Sequence, residues 1–419
     1  MEENIASHVA VTRTSGNPFK LLVINSFYAP AIGGGAEVTI QNLYQVLARR
    51  GFEIVVLATD GKARASVDYD DQIKVVRMPL FNIYWHLRRK FPPKLVRTVW
   101  HLFDIINPVM GLRALRVIKT ERPDCVIFHN IAGWSIAVWL AALICKIPTI
   151  CVLHDSYLIC PSSLMFKHGH GCKAQCVTCS LFRFPHKIVS RRIDGVVGVS
   201  RYIVNRMLSE GLFAKATSVV INNAREIPNA VENRADRPEL IFGYIGTIMP
   251  AKGVTWMIRQ FAEAGIPNKL RIAGTGDPAY ITELKTIALE HNLDVEFLGH
   301  VDSYEFFGSI DVSLVPSIWP DTFPGVAFEA CANDVPVIAS NRGGLPEIIR
   351  DGINGLVCDP ENPSTLAAAV NRLRDDKELL KRLRANSRAS VTPMLDPNRM
   401  ADEHISFIKE VVRRRTCHS

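Results

Sequence analysis

Residues 312–339 read VSLVPSIWPDTFPGVAFEACANDVPVIA and contain the pattern on which the whole chain is built. The stretch begins and ends with short apolar runs, Val312–Pro316 and Pro336–Ala339, that have the length of β-strands. Between them, Pro324 and Gly325 precede an apolar segment of helical length. Runs that are apolar throughout are typical of strands covered on both faces of a parallel sheet. The stretch therefore predicts two parallel strands joined by a crossover helix.

The same alternation of strand-length and helix-length segments occurs in two halves of the chain. The predicted strands are Lys20–Asn25, Glu53–Ala58, Lys74–Arg77, Asp124–His129, Thr149–His154, Gly195–Ser200, Ser218–Asn222, Leu240–Ile245, Lys269–Ala273, Val295–Leu298, Val312–Pro316, Pro336–Ala339 and Gly355–Val357. We therefore predict an α/β fold of two doubly wound, Rossmann-like domains that face each other across a cleft. Residues 1–222 form the first domain, 223–239 a polar linker, 240–396 the second domain, and 397–419 a C-terminal helix that packs back on the first domain.

The composition excludes several other classes of protein. With 48% hydrophobic and 21% charged residues, the 419-residue chain has the composition of a folded globular protein. Its net charge of +8 comes almost entirely from residues 84–122, which contain nine basic and two acidic residues. Since the rest is nearly neutral, no nucleic-acid partner is expected. The first eighteen residues lack the basic start and apolar core of a secretory signal, which predicts a cytoplasmic protein.

Two glycine-containing turns follow predicted strands. Residues 30–37 (PAIGGGAE) include Gly34 and Gly35 and precede a helix whose unpaired N–H groups can bind an anion. An ordinary flexible turn fits this stretch equally well. Residues 246–253 (GTIMPAKG) include Lys252, which is either a cation for a diphosphate or an exposed loop lysine.

Two acidic residues lie in the stretch 316–330 (PSIWPDTFPGVAFEA). The proline and glycine before the helix put Asp321 on the loop and Glu329 inside the helix. One carboxylate then meets a ligand at the helix N-terminus, while the deeper one suits paired hydroxyls such as those of a ribose. A weaker alternative is the run 274–279 (GTGDPA), whose partial match to the dinucleotide-binding pattern would indicate a nicotinamide dehydrogenase.

Taken together, these segments resemble the retaining GT-B glycosyltransferases of family four, which transfer a sugar from a nucleotide donor to an acceptor. The matching segments are PAIGGGAE at 30–37, HN at 129–130, LHD at 153–155, GYIGTIMPAKG at 243–253, IAGTG at 272–276, PSIWPDTFPGVAFEA at 316–330, PVIASNRGGLPEII at 336–349 and GING at 352–355. The resemblance implies the GT-B fold, a nucleotide-diphosphate sugar donor, a glycan or lipid-linked acceptor, and a role in assembling cell-surface polysaccharide or glycolipid. It also implies front-face displacement, which requires no cofactor and no catalytic metal.

The resemblance also implies roles for individual residues. It implies that His154 lies near the reacting centre, Lys252 at the donor diphosphate and Asp321 beside the transferred sugar. The implied donor-binding residues are Gly34, Gly35, Gly246, Thr247, Gly325 and Glu329, with Glu329 on the ribose.

Three positions depart from the family pattern. Asp321 replaces the usual Glu, Thr247 stands where an arginine often follows the glycine, and Pro324 stands where a glycine is common. These changes predict an altered donor preference. The alternative is a catalytically degenerate GT-B subunit that binds a nucleotide sugar or a partner.

The sequence Asp68-Tyr-Asp70 is similar to the metal-binding D-x-D of the other glycosyltransferase fold. It lies in the polar run VDYDDQ before a strand, so the prediction is an ordinary turn.

Four of the ten cysteines follow His154 in the excursion 155–180. They are Cys160, Cys172, Cys176 and Cys179. Their spacing, which ends in C-x-x-C, fits a structural zinc site that shapes the acceptor side, and it equally fits four unrelated thiols.

The basic stretch 84–122 interleaves its cations with Trp85, Phe91, Trp100 and Phe103. Such a composition either holds a protein peripherally on an anionic membrane surface, at about 1 kcal/mol per basic residue, or belongs to a solvated helix face whose aromatic residues enter the core. In the first case the acceptor would be a lipid-linked sugar at the inner face of the membrane.

Overall fold

The computed structural model describes residues 18–87, 92–228, 239–265, 269–362 and 364–417. Three predicted features lie partly outside these residues. They are residues 1–17 and 418–419 at the ends of the predicted domains, residues 229–238 of the linker, and Arg88, Arg89, Lys90 and Phe91 of the basic stretch.

The described part of the N-terminal half forms an eight-stranded sheet and a small hairpin. Its strands are Lys20–Ile24 (β1), Glu53–Asp60 (β2), Ser66–Asp70 (β3), Ile73–Pro79 (β4), Cys125–Phe128 (β5), Thr149–Leu153 (β6), Phe166–Lys167 (β7), His170–Gly171 (β8), Gly195–Gly198 (β9) and Thr217–Val220 (β10). Its helices are Gly35–Arg49 (α1), Lys94–Phe103 (α2), Pro108–Glu121 (α3), Ala137–Ile144 (α4), Val177–Ser190 (α5) and Arg201–Ser209 (α6). The sheet order is β10-β9-β6-β5-β1-β2-β4-β3, and β7 pairs with β8.

The described part of the C-terminal half forms a six-stranded sheet. Its strands are Phe242–Ile245 (β11), Leu270–Ala273 (β12), Val295–Gly299 (β13), Val312–Val315 (β14), Val337–Ser340 (β15) and Gly355–Cys358 (β16). The helices are Val254–Glu263 (α7), Pro278–Glu290 (α8), Ser303–Gly308 (α9), Gly325–Ala332 (α10), Leu345–Ile348 (α11), Thr365–Asp375 (α12), Lys377–Ser390 (α13) and Pro397–Cys417 (α14), with 3₁₀ turns at Pro250–Lys252 and Thr392–Leu395. The sheet order is β13-β12-β11-β14-β15-β16.

Parallel pairing dominates both sheets, and it follows from the apolar character of the strands. Neighbouring strands are parallel throughout the second sheet and, in the first, everywhere except between β3 and β4. Strands such as β5, β6 and β14 are buried along their whole length, as strands between two helix layers must be. The predicted doubly wound α/β fold is confirmed.

One local prediction was wrong. Asp68 and Asp70 lie in β3, an antiparallel edge strand, and not in a turn. Both carboxylates accept hydrogen bonds within the fold: Asp68 from Arg77 Nε at 2.8 Å and Asp70 from the Tyr28 hydroxyl at 2.9 Å. The polar composition of β3 is explained by its exposed position at the sheet edge.

The C-terminal helix α14 leaves the second half and packs on the first sheet. Its residues Phe407 and Val411 lie so close to Gly195 of β9 that a Cβ at this glycine would lie 2.7 Å from Val411 Cγ2. Asp402 pairs with Arg50 at the end of α1. In the described residues, neither α14 nor any other helix has the length and apolarity needed to cross a bilayer.

Among the parallel strands of each sheet, the strand order reverses at one position. In the first sheet it lies between β1 and β5, and in the second between β11 and β14. The carboxyl ends of parallel strands at such a reversal leave a crevice in which ligands bind. The predicted site residues follow these strands or their neighbours.

Candidate functional site

Two loops meet at the reversal point of the second sheet. The loop after β14 and the turn after β11 are joined by a hydrogen bond from the Ile318 N–H to the Ala251 carbonyl, at 3.1 Å. Gly253 allows this close approach, because its φ is +77° and a Cβ there would lie 2.0 Å from the Pro316 carbonyl oxygen. The two predicted donor-binding loops are therefore held as one unit.

The glycines beside these loops serve backbone packing. A Cβ at Gly274 would lie 1.8 Å from the carbonyl oxygen of Gly246, and a Cβ at Gly276 would lie 2.1 Å from a neighbouring carbonyl oxygen. Thr247, which follows Gly246 in the sequence, accepts a hydrogen bond at its carbonyl oxygen from the Tyr244 hydroxyl, at 2.7 Å. Close strand-end packing thus accounts for the partial dinucleotide pattern at 274–279.

Lys252 and Asp321 form an ion pair. Lys252 Nζ lies 2.5 Å from Asp321 Oδ2 and 5.4 Å from the centre of the Trp319 ring. Both charged side chains are largely buried, since 23% of Lys252 and 10% of Asp321 is exposed. The structure therefore brings the predicted diphosphate cation and the predicted sugar-facing carboxylate into direct contact.

Glu329 lies inside α10 and pairs with Arg225, which was not among the predicted site residues. Its Oε1 accepts a hydrogen bond from Nη1 of Arg225. A Cβ at Gly325, the first residue of α10, would lie 3.0 Å from both Glu329 Oε1 and Arg225 Nη2. Arg225 stands in the polar stretch between the two predicted strand sets, where its sequence context gives no sign of a binding role.

The N-terminus of α1 faces the same guanidinium from the other half of the chain. A Cβ at Gly35 would lie 3.8 Å from Arg225 Nη2. Beside it, the Gly34 N–H donates to Glu37 Oε2 at 2.8 Å. Glu37 is buried, and burial raises the pKa of its carboxyl above the usual range. The two predicted glycines are thus placed opposite Gly325, with a carboxylate capping their helix.

His154 follows β6 and is part of a chain of side chains. Its Nε2 lies 2.8 Å from Nδ1 of His129, whose Nε2 lies 2.7 Å from the Tyr44 hydroxyl. Burial lowers the pKa of His154 to about 4 and the pKa of His129 well below its usual value. Both rings are therefore neutral at neutral pH.

Contacts across the cleft connect the two halves. The Thr322 hydroxyl donates to the His154 carbonyl at 2.6 Å, which places His154 next to the loop that carries Asp321. At the start of α6, the N–H groups of Arg201 and Tyr202 each donate to Glu347 of α11 at 2.8 Å. These contacts hold the loop of Asp321 against the backbone of His154, and α11 of the second half against the start of α6 in the first.

A cavity of about 920 Å³ opens between the halves beside this cleft. It is lined by the hairpin of the cysteine-containing excursion, by α6 and by loops of the second half. The rings of Tyr202 and Trp256 and the polar side chains of Arg206, Asn341 and Arg342 contribute to its wall. This mixture of aromatic surface and hydrogen-bonding groups suits a hydroxylated ligand.

The four excursion cysteines lie near one another as free thiols. Sγ of Cys160 and Sγ of Cys179 are 3.9 Å apart. Burial, and after it the nearby Cys160 and Cys176, raises the pKa of the Cys172 thiol and that of the Cys179 thiol. Across the described ranges, no group of three or more His, Cys, Asp or Glu side chains has an arrangement that could hold a metal ion. The zinc site stays a prediction, and metal analysis of the purified protein tests it.

Comparisons with known proteins point in one direction. Residues 34–224 match the family model of the glycosyl transferase 4-like domain, and residues 227–390 match the model of glycosyl transferases group 1. An uncharacterised glycosyltransferase of Methanocaldococcus jannaschii is 31% identical over 93% of this chain and 98% of its own length.

Two further similarities extend this result. An uncharacterised 42.6 kDa protein from the cps region of Klebsiella pneumoniae is 28% identical over 79% of this chain and 87% of its own length. The crystal structure of Anabaena HepE in complex with UDP superposes with a TM-score of 0.69 at 17% identity, covering 94% of this chain and all of that one.

Proposed function

The chain belongs to the glycosyl transferases of group 1 and has the GT-B fold, and on this basis we propose that it is an active, retaining enzyme. It moves a hexosyl or related residue from a nucleotide-diphosphate sugar to a glycan or lipid-linked acceptor. The observation that carries the proposal is the meeting of the two halves: the loop with the Lys252–Asp321 pair contacts the backbone of His154, and Glu329 lies near the N-terminus of α1 through Arg225.

The donor side of the cleft offers the groups that a nucleotide-diphosphate sugar needs. Lys252 supplies a compact positive charge for the diphosphate, and the uncapped N-terminus of α10 adds backbone N–H groups. Glu329 would accept hydrogen bonds from the ribose hydroxyls, and Asp321 would face the transferred sugar. The similar HepE binds UDP and UDP-glucose, which favours a uridine nucleotide as the first donor to test.

Retention of configuration is proposed to result from front-face displacement. The acceptor oxygen attacks the anomeric carbon from the side on which the diphosphate leaves, and the diphosphate takes the acceptor proton. Negative charge then accumulates on the departing oxygen, where Lys252 and the helix N–H groups stabilise it electrostatically. His154, which is neutral at neutral pH, contributes a hydrogen bond and no charge.

A polysaccharide or a glycolipid is the acceptor that the comparisons and the cavity favour. The Klebsiella relative is described as a protein of the cps region. The 920 Å³ cavity offers aromatic rings and hydrogen-bonding side chains beside the cleft, as a sugar chain requires. The cysteine-containing excursion lines this cavity, so it would shape the acceptor side as the sequence predicts.

A membrane surface is proposed as the place where the acceptor is met. Along α5, Val177, Leu181, Phe184 and Ile188 are exposed by 50–86% and recur at helical spacing on one face. Helix α2 of the basic stretch is a neighbour, because burial, and after it the charge of Arg183 in α5, lowers the pKa of His101 in α2 to about 4.

Helix α2 carries both apolar and basic residues at its surface. Leu95 and Phe103 are exposed together with Lys94 and Arg97, while Trp100 enters the core. Large exposed apolar surfaces mark interaction sites, and the basic residues favour anionic lipid headgroups. The basic stretch is evident in the sequence, whereas the apolar face of α5 was not predicted from it.

Release of nucleoside diphosphate from a panel of UDP-, GDP- and ADP-sugars tests the activity. Lys252→Ala should lower kcat/KM by about 100-fold or more, since one electrostatic stabiliser of the leaving group is lost, and His154→Ala should also reduce turnover. Lys285→Ala is the matched control, because Lys285 Nζ likewise lies 5.5 Å from an aromatic ring, that of Phe297, on the surface of α8.

The same assay separates the enzyme from a degenerate subunit. A wild-type protein that binds a sugar nucleotide but releases no diphosphate, with either acceptor class present, contradicts the enzymatic proposal and supports the degenerate GT-B subunit. Equal turnover of wild type, Lys252→Ala and His154→Ala would show that the cleft is not the active site.

A further inference from the structure

Arg225 occupies a position in the cleft that the proposed residue roles leave unexplained. It follows β10 in the segment that leaves the first sheet. Its N–H donates to the Met394 carbonyl at 3.0 Å, and the N–H of Ala224 lies 3.3 Å from the sulfur of Met400. The backbone of this segment is thus fixed against the 3₁₀ turn that precedes α14 and against α14 itself, and the Arg225 side chain projects from this base.

The Arg225 guanidinium lies where elements of both halves converge. Its Nη2 is 3.8 Å from the Cβ position of Gly35 at the start of α1 and 3.0 Å from that of Gly325 at the start of α10. Its carbon Cζ lies 5.5 Å from the centre of the Phe328 ring. Helix N-termini favour anions, so a cation between two of them stands where an anionic ligand would be held from three directions.

The pairing of Arg225 with Glu329 does not by itself account for this placement. The two side chains are 24% and 13% exposed, so a ligand can reach both of them. Glu329 is also the residue proposed to bind the ribose. Ribose hydroxyls that bind Glu329 share the lone pairs of its carboxylate with the guanidinium, so donor binding weakens the hold of Glu329 on Arg225 and favours a further acceptor for the guanidinium N–H groups.

The diphosphate is the anion within reach that meets this need. Lys252 is the cation so far assigned to it, and Thr247, at the end of β11, brings no charge. A guanidinium presents five N–H donors in a planar fork that matches phosphate oxygens, which a lysine cannot do. The position between the two helix N-termini is therefore suited to a second cation.

We propose that Arg225 is a second diphosphate-binding residue of the donor site and that it exchanges Glu329 for the diphosphate when the donor binds. The inference rests on the proposed function. Binding of the diphosphate by Arg225 differs from a merely structural role of this residue in one measurable respect. A diphosphate cation contributes to the affinity for a nucleoside diphosphate far more than to that for the monophosphate, whereas a residue that only positions Glu329 acts through the ribose and affects both equally.

Isothermal titration calorimetry on the full chain tests this difference. UDP, ADP and GDP are titrated first into the wild-type protein, and the tightest is then compared with its monophosphate in Arg225→Ala. We expect the diphosphate affinity to fall about ten-fold or more and the monophosphate affinity to change less than three-fold. Arg225→Lys, which keeps the charge but loses the fork, should recover part of the loss.

Arg271→Ala is the matched control. Arg271 is 23% exposed and pairs with Glu296 on the neighbouring strand of the second sheet, so its loss removes a comparable ion pair outside the cleft. Thermal unfolding shows whether each variant is folded. An equal change for monophosphate and diphosphate in Arg225→Ala, in either direction, or an unchanged diphosphate affinity, would overturn the inference alone. A wild-type protein that binds none of the three diphosphates would overturn the proposed function, and the inference with it.

Discussion

Replacing Tyr44 by phenylalanine should change the protonation of His154, although the two residues are joined only through His129. The Tyr44 side chain is fully buried, and burial raises the pKa of its phenol, which keeps its proton. The acceptor at 2.7 Å is Nε2 of His129. When that nitrogen accepts, Nδ1 of His129 carries the proton and donates to Nε2 of His154 at 2.8 Å. His154 is then neutral with its own proton on Nδ1.

Tyr44→Phe removes the donor that fixes this arrangement. A buried nitrogen of His129 is left without its partner, which should cost about 1–3 kcal/mol of unfolding free energy. Neither tautomer of His129 then has a partner at Nε2, so the tautomer is no longer fixed, and the form with the proton on Nε2 and an accepting Nδ1 becomes populated. His154 must in turn donate from Nε2 and loses its proton on Nδ1. If the hydrogen bond from Nδ1 of His154 stabilises the transition state by about 1.4 kcal/mol, its loss lowers turnover about ten-fold.

Nitrogen-15 NMR of the histidine rings measures the tautomer directly, and donor turnover and urea unfolding measure the two energies. Tyr280→Phe is the control, because the Tyr280 hydroxyl also has a side-chain partner, Thr255 at 2.8 Å, but lies on α8 away from the cleft. A wild-type His154 with its proton on Nε2 would refute the reasoning. So would a Tyr44→Phe variant whose His154 tautomer and turnover match the wild type.

Three further outcomes are expected. Burial lowers the pKa values of four histidines to about 3 or 4, so between pH 6.5 and 4 the unfolded chain binds more protons than the folded one. The free energy of unfolding should therefore fall on acidification by up to about 1.4 kcal/mol per pH unit for each of these histidines, as measured by urea unfolding. These are His86, His101, His154 and His404. The carboxyls of Asp104, whose pKa burial raises to about 7, and of Glu37 and Asp155, whose pKa burial also raises, oppose this trend. Leu181→Glu on the exposed face of α5 should reduce the fraction of protein that sediments with vesicles of anionic lipid at least five-fold. Leu289 on α8 is equally exposed, and Leu289→Glu should leave this fraction unchanged. Equal effects of the two substitutions would contradict the membrane proposal. Glu347→Ala removes the acceptor of the first two N–H groups of α6 and should lower the melting temperature by a few degrees, corresponding to about 1–2 kcal/mol. An unchanged melting temperature would show that this contact between the halves is weak.

The strands were predictable because their pattern is local. Each predicted strand matches an observed one to within two residues at either end, since an apolar run between turn residues needs no knowledge of its neighbours. Strand β3 was missed for the complementary reason. Its polar residues are tolerated only because it lies at an exposed edge, paired on one side with β4, and the position of an edge is a property of the whole sheet.

The site was predictable only in part, for the same physical reason. Lys252, Asp321 and Glu329 stand in recognisable turns at strand ends. Arg225 does not stand in such a turn. Its partner Glu329 is 104 residues away in the sequence, and the residues on either side of Arg225 form no recognisable binding motif. The hydrogen bond from Thr322 to the His154 carbonyl spans 168 residues and is equally invisible in either segment alone.

These long-range contacts converge on one stretch of the second half. Thr322, which donates to the His154 carbonyl, directly follows Asp321, and Glu329, which binds Arg225, lies in the helix that continues from the same loop. A shift of one half relative to the other must therefore move both carboxylates with respect to His154. It follows that loosening the contact at Thr322 should lower donor affinity and turnover together, whereas loss of Lys252, which acts on the leaving group, should lower turnover more than affinity.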